Sequence, residues 1–474
     1  MNEFYSIFID KKSPVPIYQQ LGDALCELIE NGVLPPNSKL PPIRTMASQL
    51  KVNNVTVVTA YKYLENKKVV YSQMGSGTYV SPIALNKVPE PVVEKNISLF
   101  EEQFELEHAI NFVNTSMPHN LFPVEEFKTA FNEILDSQKG DAFNYQGSMG
   151  YEPLRKSICD YLLESYQIRA LPENIQIISG AQQGIDIISK AMMNYGDIIF
   201  VEKPTFYGAV GAFLSRGGKI IEIPLEADGM DTIALENFMK LYHPKFLYMM
   251  SYFQTPTGIS YSMEKKRKIL ELADKYNTYI IEDDNLYDFY YAHQTIVPLK
   301  ALDYKNRVLY IKSFSKILMP GLRIGFLMIP KKIMYNVMNA KYTTDISTSG
   351  FLQKALDYYF KNNDWKKHIE TIRTFSAQKY NKTVKMADKY LKKYTYYRKP
   401  EGGNSLWIGL KNDLKAELLC AKLLEKGVVV SPGSQFFIDG EESRHIRICF
   451  TNVNEDKIEV GMKRIGECMQ SFYK

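Results

Sequence analysis

Lys316 is the residue with the clearest chemical potential in this chain. It lies in Ser313-Phe314-Ser315-Lys316, directly after the apolar run Val308–Lys312. A lysine among hydroxyls at a strand end forms a Schiff base with an aldehyde when its amine is partly deprotonated. Standing alone, such a lysine reads as a solvated surface side chain, so its neighbours decide. Further on, Gly321-Leu322-Arg323-Ile324-Gly325 sets an arginine between glycines, an arrangement suited to a phosphate. Upstream, Ser179-Gly180-Ala181-Gln182-Gln183-Gly184 follows an apolar run and opens a helical pattern. Backbone N–H groups there, helped by the helix dipole, form a second anion site. Asp283 ends another apolar run and can pair with a pyridinium nitrogen, keeping the ring protonated as an electron sink. Ligands collect at the carboxyl ends of parallel strands, so these groups can converge.

The elements that would position them are legible from residue 106 onward. Ile175–Ile178, Ile198–Glu202, Lys219–Ile223, Phe246–Ser251, Tyr279–Asp283 and Val308–Lys312 are short β-branched or aromatic runs. Helical patterns such as Gln182–Met193 and Met263–Tyr276 lie between them. Strands alternating with helices predict an α/β domain with a buried parallel sheet. After residue 331 the chain turns mostly helical and returns to strands near Ser405–Gly409 and His445–Phe450, as a smaller α+β subdomain would.

The first 81 residues have a different texture. Ile17, Leu21, Leu25, Leu28 and Ile29 recur at helical spacing, and the pattern stops at Asn31-Gly32. Pro41-Pro42 opens a short helix through Met46, Ala47 and Leu50. After the turn Lys51-Val52-Asn53, a third helix turns Val57, Tyr61 and Leu64 inward, with Asn53 as its N-cap. Two short helices across a tight turn make a helix-turn-helix, whose second helix enters the DNA major groove. Asn54, Thr56 and Thr59 are the outward positions at its start. Val69–Tyr71 and Thr78–Val80, joined through Gly75 and Gly77, predict a β-hairpin wing. Helix-turn-helix patterns also arise by chance in helical interaction modules, so the ordered set carries more than any part. Residues 82–105 hold three prolines with mixed charge and read as a linker.

Composition bounds the rest. At 474 residues, 45% hydrophobic and 23% charged, the chain is globular and long enough for two or three folded units. A net charge of only +5 leaves nucleic-acid binding to a local patch. Cys26, Cys159, Cys420, Cys449 and Cys468 follow neither disulfide nor metal-ligand spacing, so buried thiols in a reducing compartment and no metal site are expected. No signal peptide is evident in MNEFYSIFIDKKSP, and the longest apolar run, Phe246–Phe253, is less than half a membrane span. A cytoplasmic protein without membrane association is the expectation.

The string PIYQQL…LPPIRTMASQL…VNNVTVVTAYKYLE…GSGTYV resembles the GntR-type winged helix. That resemblance implies double-stranded DNA as partner, with Arg44, Asn54, Thr56, Gly75 and Gly77 at the contact. Asn53-Asn54 stands where the family usually has Ser-Arg, which puts its typical operator sequence in doubt. From residue 110 to the end the chain resembles the fold-type I aminotransferases, which implies pyridoxal 5'-phosphate as cofactor. On that resemblance Lys316 is the cofactor lysine and Asp283 the partner of the ring nitrogen. Phe206 in Glu202-Lys203-Pro204-Thr205-Phe206 stacks on the ring, and Ala181, Gln182, Ser313 and Arg323 hold the phosphate. Tyr145 in YQGSMGYEPLR reaches the phosphate of a neighbouring subunit, implying a homodimer. Arg447 in HIRICF binds an amino acid's carboxylate, the alternative being a strand arginine paired with a local acid. Glycine at 208 supplies no further effector partner.

A winged helix (1–81), linker (82–105) and aminotransferase-like body (106–474) in this order is the plan of the MocR/GabR-type regulators. The body divides into a large subdomain of about 166–330 and a small one of about 331–474. The implied function is a transcription regulator that senses an amino compound, or pyridoxal phosphate itself, through a Schiff base at Lys316. Two departures favour regulation over turnover. Thr255 stands where transaminases carry an asparagine on the ring hydroxyl, and Leu286 aligns with a second hydroxyl partner, a tyrosine, with Tyr287 one place late. A working aminotransferase with an accessory winged helix, and a body that only dimerises, remain the alternatives.

Overall fold

The computed structural model describes residues 15–30, 38–67, 69–73, 76–81, 109–291, 296–438 and 443–472, with residues 7, 9, 10, 13, 33 and 34 besides. Gly75 and the 82–105 linker lie outside them.

The N-terminal unit is built on three helices, Ile17–Glu30, Ile43–Leu50 and Asn54–Asn66. Leu21, Leu25 and Ile29 repeat every four residues, so they share one helical face and meet Met46, Ala47, Val57, Ala60, Tyr61 and Leu64 in one core. Asn53 caps the third helix as expected, its Oδ1 accepting from Val55 N at 3.0 Å. Lys51, at φ 52, makes the left-handed turn between the last two helices. Val70–Gln73 and Gly77–Val80 pair antiparallel, with Gln73 opposite Gly77. Gly77 needs φ +130, which an L side chain resists. The backbone before the second helix joins this hairpin, through Leu40 N to Thr78 O and Val80 N to Ser38 O, each 2.8 Å.

The body centres on an eight-stranded sheet. Its order is Ile175–Ile178, Gly325–Met328, Val308–Ser313, Tyr279–Asp284, Phe246–Met249, Ile198–Lys203, Lys219–Glu226 and Gly229–Met230. The strands from Val308–Ser313 to Lys219–Glu226 are mutually parallel, as expected. The sheet as a whole is mixed, because two strands outside the expected runs join it: Gly325–Met328 runs antiparallel to both its neighbours, and Gly229–Met230 folds back on Lys219–Glu226. Physically, the eleven residues between Ser313 and Gly325 reverse the chain at one sheet end without a crossover helix, and a short return of that kind can only pair antiparallel.

Both faces of this sheet are covered, and alternation sorts the residues. Leu309, Ile311, Leu327 and Ile178 join one core with helix residues Ile185, Ile188, Val210 and Phe213. Tyr310, Phe326 and Ile177 join another with Leu154, Tyr161 and Phe314. That double burial is why the strands read as continuous apolar runs. Helices Lys331–Asp345 and Gly350–Asn362 contribute Val337 and Leu356 to these two cores. The small core draws on helix Trp365–Tyr390 from Val384 onward, together with Ile110 and Phe112. It fills the space between a four-stranded antiparallel sheet, Thr395–Tyr396, Ser405–Leu410, His445–Cys449 and Ser431–Pro432, and helices Ala416–Glu425 and Glu455–Phe472. Ile110–Asn111 pairs with Val428–Val429, so the body's first residues belong to this subdomain. Among the described residues, no helix is long and apolar enough to cross a membrane, and no cluster of His, Cys, Asp and Glu has metal-binding form.

Candidate functional site

Strand register brings the chemistry to one end of the large sheet. Ser313 stands opposite Gly325, and Gly325 opposite Ile178, so Arg323, Ser313 and Ser179 all leave the sheet at that end. Asp283 pairs with Ile311 on the next strand, two residues before Ser313.

Arg323, itself in the left-handed region at φ 51, donates Nη2 to Ser179 O at 2.9 Å. Gly180 lies beneath that guanidinium with φ +98, and a Cβ there would sit 2.6 Å from Nη2. The close approach and the positive φ both require glycine. Helix Ala181–Met192 starts at this point with no side chain capping it, so its first amides face the arginine's end of the sheet. Gln182 Nε2 donates to Gly208 O at 2.7 Å, and a Cβ on Gly208 would meet the Phe206 ring at 2.7 Å. Ala181, Gln182, Phe206 and Arg323 are therefore neighbours across three loops. Ser313 Oγ accepts from Ser315 N at 3.2 Å and hydrogen-bonds Ser315 Oγ at 3.0 Å, fixing the turn that carries Lys316. Lys316 Nζ hydrogen-bonds Thr115 Oγ1.

Asp283 is 5% exposed. Tyr248 OH donates to its Oδ2 at 2.7 Å, while its Oδ1 is buried and has no hydrogen-bond partner. Burial pushes this carboxyl up to about 6, against the Tyr248 hydrogen bond, with Asp284 adding to the rise and Lys312 opposing it. A buried carboxylate oxygen without a donor is costly unless a ligand supplies one. A protonated pyridine nitrogen is such a donor, so the residues present fit pyridoxal phosphate.

Behind Asp283 lies a buried ion cluster. Lys312 Nζ is 3.0 Å from Asp284 Oδ2 and 2.9 Å from Asp288 Oδ2. Tyr166 OH donates to Asp288 at 3.1 Å, and Tyr310 OH donates to Asp284. Burial pulls the Lys312 amine down, but the two carboxylates outweigh it and hold it above its ordinary value. A second buried acid, Glu202, holds the 254–258 loop. It accepts from Tyr261 OH at 2.6 Å, Gln254 Nε2 at 3.2 Å and Met250 N at 3.3 Å. Burial pushes it up to about 8 against those hydrogen bonds, so it is protonated at neutral pH. An acid raised on folding loses stability for the folded state as pH climbs from its unfolded value to its folded one. Glu202→Gln should therefore gain on the parent from pH 5 to pH 8 and level off above. Melting temperatures of both proteins at pH 5, 7 and 9 check this; a gap that stays constant would contradict it.

The remaining expected residues lie apart. Tyr145 is 85% exposed. Arg447 is buried in strand His445–Cys449, donating Nη2 to Ser431 Oγ at 3.1 Å, with its guanidinium 4.8 Å from the Phe436 ring centre. Leu286 is buried, and Tyr287 OH is committed to Ser165 O at 3.0 Å and Ile296 O at 3.2 Å. A loop shift that would bring Tyr287 into the site is thus absent. In the N-terminal unit Arg44 and Asn54 are exposed, Thr56 is half-buried, and Thr59 Oγ1 is taken by Val55 O at 2.9 Å.

Three residues near these sites escaped the sequence reading. Thr115 and Tyr248 are chemically ordinary, and only topology brings them to Lys316 and Asp283. Val55, 67% exposed beside Asn54, presents an apolar surface of the kind that meets a thymine methyl.

The family model for aminotransferase class I and II matches residues 110–465, and that for bacterial regulatory proteins of the gntR family matches residues 17–80. An HTH-type transcriptional regulator of Bacillus subtilis, YdfD, is 27% identical over 96% of this chain and 97% of its own. The probable rhizopine catabolism regulatory protein MocR of Rhizobium meliloti is 24% identical over 97% of this chain and 95% of its own. Pyrococcus horikoshii kynurenine aminotransferase, solved in complex with PMP, superposes with a TM-score of 0.74 at 31% identity, covering 78% of this chain and 93% of that one. The enzyme matches the body alone, whereas the regulators match the chain end to end. The chain therefore belongs to the aminotransferase class I and II family, in the pyridoxal-phosphate-dependent, DNA-binding branch that joins this fold to a gntR-family winged helix, the MocR-type transcription regulators.

Proposed function

We propose that the body is a sensor of primary amino compounds and that its occupancy sets how the winged helix binds DNA. The observation that carries this reading is the buried Asp283 Oδ1 without a partner, on the sheet end that also holds Lys316 and Arg323. When bound, pyridoxal phosphate supplies an aldehyde that condenses reversibly with amines and a ring that withdraws electrons. Lys316 would be the residue that holds it, its amine being the group with which an incoming amine would compete. Asp283, oriented by Tyr248, keeps the ring nitrogen protonated. Phe206 covers a ring face, while Ser313, Arg323 and the Ala181 and Gln182 amides bind the phosphate. Arg447 selects a carboxylate on the incoming amine. Tyr145, exposed on its own chain, fits completion of the cup of a second copy, so the working unit is a homodimer.

Thr255 and Leu286 offer no amide or phenol to the ring hydroxyl, and Tyr287 is engaged elsewhere. The residues present would thus hold the cofactor and an amine without the two ring-hydroxyl partners that turnover draws on, as suits a sensor. DNA affinity of the cofactor-loaded chain, read by fluorescence anisotropy with amino acids and their N-acetyl forms, tests this. A shift of about fivefold or more with a free amine and none with its acetylated form is expected, the usual size of a coupling between sites. Equal responses to both forms would overturn it.

On the DNA side, Arg44 and the exposed start of helix Asn54–Asn66 form the contact, with Gly77 letting the wing approach the backbone. Arg44→Ala should weaken binding to any duplex and lower the salt slope of log K by about one. An unchanged slope would remove Arg44 from the phosphates.

A further inference from the structure

The body holds a second concave site, at the end of the sheet away from Asp283 and Lys316. Asn174 precedes one strand, Tyr279 begins another, Arg307 precedes a third, and Met328 ends the antiparallel one, so these ends share a cleft of about 660 Å³. That volume is in the range of small-molecule sites.

Its lining is strongly cationic. Lys300 is neutralised, buried against Asp303 at 2.9 Å and Val308 O. Arg307 is held rigid, donating to Asp274 Oδ1 at 3.2 and 3.3 Å and to Asn277 Oδ1 at 2.6 Å, with its guanidinium 5.8 Å from the Tyr279 ring centre. Lys305 reaches the same Asp274 carboxylate only at 4.0 Å. Arg169, Lys331 and Lys332 are exposed and have no ion pair among the described residues. Against these five cations the lining sets one carboxylate, Glu173, while Asp274 is taken by Arg307 and Lys305.

Lys331 and Lys332 also occupy the first turn of helix Lys331–Asp345, which has no side-chain cap and no acidic residue there. Cations at a helix start work against the dipole, which favours anions at that position. Local rules are broken mostly at functional or strained sites, and here the break falls in the lining of a cleft. Leu171, Met328, Ile329 and the Tyr279 ring give the cleft an apolar, partly aromatic wall beside the charges. A DNA backbone would rest on a basic stripe of open surface, whereas a pocket with an aromatic wall suits a compact ligand.

The geometry points to a binding site for a small polyphosphate of nucleotide size, its phosphates on Arg169, Lys331, Lys332 and the helix start, its ring against Tyr279. This site is separate from the cofactor cup and independent of the amine-sensing reading.

Isothermal titration of the full chain with ADP and with inorganic pyrophosphate tests it. The chain is first saturated with pyridoxal phosphate, so that the Arg323 cup is filled. Binding of ADP is expected, tighter than that of pyrophosphate, and weakened at least tenfold by Lys331→Gln with Lys332→Gln. The loaded cofactor's absorbance should not change, which also reports that the variant folds. No binding, or equal binding by variant and parent, would overturn the site. Loss of DNA affinity in the variant with ADP binding unaltered would also overturn it, assigning the lysines to nucleic acid instead.

Discussion

Lys312→Met is expected to destabilise the protein by about 3–5 kcal/mol at neutral pH, read as a fall in the urea midpoint. Methionine roughly preserves the volume, so the change isolates the charge. It leaves Asp284 and Asp288, both buried, facing each other without their cation, and removing one member of a buried ion group costs about that much. Burial already pushes Asp284 above its ordinary range with Lys312 in place. Without the ammonium the Asp284 carboxyl, which Lys312 otherwise holds down, protonates more readily, so the deficit should shrink as pH falls towards 5. Because Asp284 follows Asp283 directly, cofactor affinity should drop in the same variant. A loss below about 1 kcal/mol, the scale of an exposed pair, would mean that the cluster is hydrated.

Lys316→Ala is expected to abolish the response of DNA affinity to free amines while leaving DNA binding measurable. The winged helix has its own core, with Leu21, Val57 and Leu64 fully buried, so losing one amine in the body does not unfold it. What disappears is the covalent exchange by which an amine registers. Phosphate, ring and Asp283 contacts would still hold pyridoxal phosphate, more weakly. An undiminished response in this variant would sink the covalent sensing mechanism and leave simple noncovalent binding in its place.

How much of this was legible in the sequence depends on how local each signal is. The winged helix was readable because Asn53, the four-residue apolar repeat and the hairpin glycines act within a few residues of themselves. The strand-end placing of Lys316, Asp283 and Arg323 was readable because each lies at or beside the end of a strand whose double burial leaves a continuous apolar run. Direction was not. Gly325–Met328 is as apolar as its neighbours, and nothing in four residues says that it runs the other way. Ile110–Asn111 is too short to carry any period, and its place in the small subdomain follows from pairing with residues 428–429. Lys312 lies four positions before Lys316 and looks no different in sequence. Only the fold, by turning Asp284, Asp288, Tyr166 and Tyr310 toward it, makes it a buried cation. Partnership with Thr115, some two hundred residues away, is likewise written in the topology alone.

The most direct test of the central claim is borohydride reduction of the pyridoxal-phosphate-loaded protein, with the site of labelling read by peptide mass spectrometry. A visible absorbance band that borohydride abolishes, with a pyridoxyl group left on the Lys316 peptide and absent from Lys316→Ala, is the predicted result. No band, or a label spread over surface lysines and unchanged in the variant, would contradict the account and leave the body a dimerising fold without its cofactor.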